Sequence, residues 1–93
     1  MWFIYILYSE KDGNLYVGCS ENLNERVKKH KSGTVHSTRN RRPLVLIHYE
    51  KFPEKKEAFA RERFLKSLWA GRFKKKIKQK YIRSTRLHEL IAS

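Results

Sequence analysis

Acidic residues are scarce in this chain. Nine Asp and Glu stand against 22 Lys and Arg, leaving a net charge of +13 at neutral pH. An excess of that size goes beyond what solubility needs and attracts polyanions, nucleic acid first and an anionic membrane surface second. The plain alternative is a basic protein that binds polyanions only incidentally. Cysteine is nearly absent as well. The lone Cys19 excludes an internal disulfide and a zinc site built from several cysteines, and it fits a reducing, cytoplasmic compartment. Cys19 with His30 or His48 could in principle form a thiol nucleophile, but nothing in the local sequence supports it. No apolar run approaches the ~18 residues of a membrane span. The apolar start, Trp2 to Tyr8, has no basic stretch before it and no small-residue cleavage site, so it reads as a strand and not a signal peptide. A glycine-rich phosphate loop, a G-x-S-x-G elbow, internal repeats and linkers are missing too. What remains is 93 residues, 40% of them hydrophobic. That suits one domain, 1–93, with a modest core, and argues against disorder.

The stretch from Tyr5 to Gly18 reads as a hairpin. Apolar and aromatic residues run from Trp2 to Tyr8, and Leu15-Tyr16-Val17 resumes the pattern after Asp12-Gly13, a strong signal for a type I′ turn. A turn centred there sets Ser9 opposite Tyr16. Alternation then puts Tyr5, Leu7, Ser9 and Tyr16 on one face, and a longer loop about the same centre keeps that parity. Gly18 leaves backbone room beside the two phenols. On the hairpin alone, Tyr5 and Tyr16 are half-buried strand aromatics.

Further on the period changes. Asn22 with Glu25 three residues later forms a capping-box pattern, Leu23, Val27 and His30 share a helical face, and Ser32-Gly33 ends the segment. Arg26 lies beside that face, one turn before His30. Read singly, Arg26 is a solvated cation and His30 a core edge. Thr34 to Arg42 carries no apolar period, and its Arg39, Arg41 and Arg42 suit phosphate oxygens. The continuous apolar run Leu44 to Tyr49 suggests a strand covered on both faces and central in its sheet, closed by Phe52-Pro53. A second helix is expected from about Glu54 to Trp69, stopped by Gly71, with Ala58, Glu62, Leu65 and Trp69 on one stripe and Phe59 and Leu68 flanking it. Glu62 inside that stripe is costly unless paired, protonated or metal-bound. An internal pair with an arginine such as Arg26 and a metal-ligand role both account for it. From Arg72 to Arg86 basic residues recur without an acid, and Phe73, Ile77 and Tyr81 repeat every fourth position. This predicts a basic amphipathic helix over about 72–86, with Lys74, Lys75, Lys76 and Lys78 facing solvent and available to nucleic acid.

The ordered set resembles the GIY-YIG nuclease superfamily. It comprises Ile4-Tyr5, then Tyr16-Val17-Gly18, then Arg26 and His30, then Glu62. Within that superfamily the chain is similar to small single-domain members related to the N-terminal nuclease domain of the bacterial excision-repair incision enzyme. The likeness runs from about Trp2 to Trp69. It departs at Phe3, where the first motif has Gly, at Val17 for Ile, at Cys19 where the repair enzyme has a lysine, and in lacking an Asn after Glu62. The resemblance implies an α+β fold: a three-stranded antiparallel sheet flanked by helices, in order ββαβα plus the C-terminal helix. It implies metal-dependent hydrolysis of DNA phosphodiesters in repair or recombination. Tyr16 would activate the attacking water and Tyr5 assist it. Arg26 would bind the scissile phosphate, His30 would stand beside the site, and Glu62 would hold a single Mg2+ or Mn2+. DNA is the expected partner, with RNA not excluded, no membrane, and protein partners that supply substrate choice. A non-catalytic nucleic-acid-binding module with the same fold is the rival expectation, and a basic interaction domain within a larger nuclease assembly a third.

Overall fold

A computed structural model describes residues 1–92. The elements run β1 (Trp2–Ser9), β2 (Leu15–Ser20), α1 (Leu23–Ser32), β3 (Leu44–Phe52), α2 (Lys55–Lys66) and α3 (Gly71–Ala92), with short 3₁₀ turns at Arg39–Arg41 and Leu68–Ala70. The three strands form one antiparallel sheet in the order β2-β1-β3. This is the expected α+β architecture, ββαβα followed by a C-terminal helix.

β1 is the central strand because its residues are apolar on both faces. Ile4 and Ile6 point to one side and join Val17, Ala58, Leu65 and Ala70, with Phe73 and Ile77 packed against them. Tyr5 and Leu7 point to the other and join Leu23 and Leu44, with Tyr16 and Val27 alongside. The sheet is thus sandwiched, α1 on one face and α2 with α3 on the other. Alternation along β1 decides which residues meet which helix.

β3 is an edge strand, which corrects the expectation that it is central. Coverage on both faces was rightly expected, since α1 and α3 both pack on β3. An edge strand covered on both faces carries the same continuous apolar run as a central one. A bulge adds to the effect. Ile6 pairs with His48 but Leu7 pairs with Leu46, so Ile47 has no partner of its own. Leu46 then joins the α1-side core and Ile47 the other.

The hairpin also differs in detail. Of the two residues at its expected centre only Gly13 has a positive φ, 73°, so the turn is not type I′. Ser9 N–H donates to Asn14 O, Gly13 N–H to Ser9 O, and the Asp12 carboxylate accepts from Asn14 N–H. The longer loop shifts the register by two, so Leu7 and not Ser9 faces Tyr16. Parity survives, and Tyr5 and Tyr16 share a face.

α1 carries both expected caps. Asn22 Oδ1 accepts from Glu25 N–H while the Glu25 carboxylate accepts from Asn22 Nδ2, and Gly33 closes the helix at φ 83°. α2 ends at Lys66, short of the expected Trp69. Ser67 is extended (ψ 164°), and Gly71 sits at ordinary helical angles as the first residue of α3, not as a stop. Ala70, not Trp69, takes the buried place at this corner. α3 runs past the expected Arg86.

Candidate active site

Tyr5 and Gly18 are paired across β1 and β2. The phenol lies over the glycine so closely that a Cβ there would stand 2.4 Å from Tyr5 Cζ and Oη. No other residue leaves that space. The buried phenol, 1% exposed, is hydrogen-bonded to His30 Nε2 at 2.9 Å. His30 is fully buried because the Leu23-Val27-His30 face of α1 turns it to the sheet, and its Nδ1 is 2.7 Å from Thr38 Oγ1. A continuous buried chain results: Thr38, His30, Tyr5. Tyr16, only partly buried, closes the group, with its ring centroid 5.1 Å from that of His30 and 6.5 Å from that of Tyr5.

Burial sets the protonation of this chain. It drives the His30 pKa from 6.5 down to about 4, helped by the positive charge of Arg26, so the imidazole is neutral at physiological pH. A neutral imidazole carries one N–H, and both of its partners are hydroxyls that can donate or accept. Burial also raises the Tyr5 phenol. The adjacent Arg26 guanidinium opposes the rise, while the charges of Tyr16 and Glu62 add to it. Tyr5 therefore keeps its proton at neutral pH, and of the two phenols Tyr16 is the one water can reach.

Tyr5 thus feels Arg26 from α1 and Glu62 from α2, two helices on opposite faces of the sheet. Glu62 is indeed on the inner side of α2, between buried Ala58 and Leu65, but it is 21% exposed. Its ion-pair partner is Lys66 at 3.3 Å, one turn along, and not Arg26. Such an exposed i,i+4 pair is weak and easily exchanged. Among the described residues no three His, Cys, Asp or Glu gather as a metal cage. Glu62 by itself is a hard oxygen donor of the kind that divalent cations take. Cys19, across from Glu62, is pushed up by burial and then by that carboxylate, so it stays a thiol.

The basic residues divide. Arg41 is tied to the hairpin loop, with its Nε donating to Asp12 Oδ2 at 3.0 Å and an Nη to Leu15 O. Arg42 lies over Gly33 and donates to Arg39 O, and both Arg39 and Arg42 are exposed. Lys74, Lys75 and Lys78 line a groove of about 540 Å³ with Asn14, Leu15 and Gly71, while Lys76 is exposed outside it. The residue that sequence reasoning missed is Thr38. It lies in the stretch from Thr34 to Arg42 that has no apolar period, and nothing near it signals a bond to a histidine eight residues earlier.

Several comparisons bear on this site. The family model of the GIY-YIG catalytic domain matches residues 1–81. A UPF0213 protein of Clostridium perfringens is 42% identical over 69 residues, covering 73% of this chain and 73% of that one. A UPF0213 protein of Natronomonas pharaonis is 40% identical over 67 residues, covering 71% and 78%. The solution NMR structure of a UPF0213 protein from Bacillus halodurans matches with a TM-score of 0.52 at 37% identity, over 83% of this chain and 82% of that one. The matched span holds every element from β1 to the middle of α3 and each of Tyr5, Tyr16, Arg26, His30 and Glu62. This chain belongs to the GIY-YIG catalytic domain family, a nuclease family, alongside the small UPF0213 proteins.

Proposed function

We propose that this protein is a divalent-metal-dependent endonuclease that hydrolyses DNA phosphodiesters, acting in the cytoplasm in repair or recombination. The observation that carries the proposal is the buried Thr38–His30–Tyr5 chain ending beside Tyr16, with Arg26 and Glu62 close enough to act on the same phenol. A binding surface needs no such group.

The residues divide the work by chemistry. Arg26 clamps non-bridging phosphate oxygens with its planar fork and offsets their charge. Tyr16 orients the attacking water through its hydroxyl. Tyr5, protonated and held by His30, fixes Tyr16's surroundings. The neutral imidazole can donate to Tyr5 or accept from it while Thr38 takes the opposite role, so both ring nitrogens stay partnered in either direction. Glu62 would hold Mg2+ or Mn2+, which supplies positive charge to the leaving oxygen. Lys66, its partner in a weak ion pair, is the group that a cation at Glu62 would replace. The exposed Arg39 and Arg42 and the lysines of α3 hold the flanking backbone.

Incubation of supercoiled plasmid with Mg2+, with Mn2+ and with chelator tests the reading. Nicking is expected only with metal. Glu62→Gln should lower it by on the order of a hundredfold or more while the fold is kept, because a partly buried carboxylate is replaced by its neutral isostere. Wild-type cleavage by Glu62→Gln would return the carboxylate to a mere partner of Lys66. Tight DNA binding without cleavage under any metal would make the chain a non-catalytic binding module.

A further inference from the structure

The corner between α2 and α3 exposes the two apolar side chains that globular packing would hide first. Leu68 is 98% and Trp69 88% exposed. The corner is nonetheless well held. Leu65 before it and Ala70 after it are fully buried, Ser67 N–H and Oγ both donate to Phe64 O, and Ala70 N–H donates to Ser67 O. The backbone is pinned on both sides while an indole and a leucyl group project from it. An exposed indole on a fixed turn is a stacking platform, preorganised and with little conformational freedom to lose on binding.

Charge names the occupant. Lys66 precedes the corner and Arg72 follows it, both exposed. Gly71, two residues from Trp69, lines the groove that carries Lys74, Lys75 and Lys78. The groove's other wall is Asn14-Leu15, next in sequence to Tyr16. Acidic residues are missing from the whole stretch from Arg63 to Leu87, while the corner and the groove that begins beside it are cationic. That setting attracts an acidic-rimmed protein partner no less than phosphates, but an indole beside phosphate-binding lysines has one natural complement, a nucleobase. Bases inside a duplex are stacked on both sides and offer no open face.

We propose that Trp69, with Leu68 beside it, is a stacking wedge for an unpaired nucleobase, and that it directs the enzyme to DNA with a single-stranded segment, flap or end next to the scissile phosphate. The proposal rests on the nuclease reading above and deepens it. The chain would lie along the groove with its phosphates on the lysines, its unpaired base on Trp69, and the adjoining phosphate at the Tyr16 and Glu62 edge.

Binding is measured in chelator, so that cleavage plays no part. Trp2→Phe leaves Trp69 as the only indole. In that background a short single-stranded DNA is expected to quench the fluorescence, and a blunt duplex of that strand with its complement is not. Trp69→Ala should weaken single-strand binding roughly tenfold and duplex binding less than twofold, with Trp69→Phe keeping most of the affinity. Trp69 is exposed, so its truncation opens no core cavity, and a thermal melt of each variant checks the fold. Equal loss on both DNAs, or none on either, overturns the wedge while the nuclease reading stands. The wedge also falls if Trp69→Ala splits a dimer without changing DNA affinity, since the corner would then join two copies. No binding to either DNA would remove both readings.

Discussion

At the scale of single residues, the site depends on what Gly18 lacks and on what His30 does not carry. Gly18→Ala puts a methyl within 2.4 Å of the Tyr5 ring. The neighbour is a fully buried aromatic bonded at its far end to His30, so it cannot swing aside. The variant is expected to fold with a stability loss of about 1–3 kcal/mol, in line with overpacking elsewhere, and to cut DNA far more slowly. Urea melts and nicking rates read the two effects separately, and normal nicking would detach Tyr5 from the chemistry. His30 yields a pH prediction. Its pKa is about 4 folded and 6.5 unfolded, so between those values the unfolded chain binds the extra proton. The stabilisation is complete above pH 6.5 and is lost as pH falls toward 4, about 3 kcal/mol in all. Glu50 is separable from it. Burial raises its carboxyl, but Arg61 and His48 outweigh that and hold it below its ordinary 4.5, so its loss comes at lower pH. His30→Gln should flatten the stability curve between pH 6.5 and 4.5. A curve that keeps its slope would show that the imidazole is not buried neutral.

At the scale of elements, much was legible because local chemistry and tertiary packing agree. The capping box of α1 appears in the sequence as Asn22 and Glu25 and in the structure as two reciprocal bonds. The face shared by Tyr5 and Tyr16 was legible through strand parity, even though the loop moved the register by two. What failed was everything that depends on neighbours distant in sequence. Coverage on both faces cannot tell an edge strand from a central one, so β3 was placed wrongly. Helical periodicity carried α2 on to Trp69, since the period cannot register that Ser67 breaks it and that Ala70 fills the core position. Gly71 was taken for a stop because glycine more often ends helices than starts them. In the candidate site, Tyr5, Tyr16, Arg26, His30 and Glu62 come from an ordered motif set. Thr38 could not, because its contact to His30 is made by the path of a loop with no period of its own. The same limit hid the split among the arginines, where Arg41 is bound to Asp12 while Arg39 and Arg42 stay exposed.

At the scale of the whole molecule, a charge of +13 on 93 residues makes any nucleic-acid affinity chiefly electrostatic. Composition cannot say where that charge acts. The fold can, because it gathers Lys74, Lys75 and Lys78 against Asn14 and Leu15 and leaves Lys76, from the same run, outside the groove. Each lysine that meets a phosphate releases condensed counterion and adds about 0.9 to the slope of log affinity against log salt. The triple variant Lys74→Gln, Lys75→Gln, Lys78→Gln should therefore bind duplex DNA more weakly and with a slope shallower by up to about three units. Lys76→Gln, which removes one equal charge, should leave the slope within error of wild type. Glutamine keeps much of each aliphatic stem, so the packing of α3 through Phe73 and Ile77 is preserved. Fluorescence anisotropy over a range of potassium chloride concentrations, in chelator, measures both variants against the parent. If Lys76→Gln flattened the slope as much per charge as the triple variant, the excess charge would be acting as a diffuse field and the groove would have no special standing. A slope untouched by the triple variant would put the DNA on the other face of the sheet, where Arg39 and Arg42 would have to hold it.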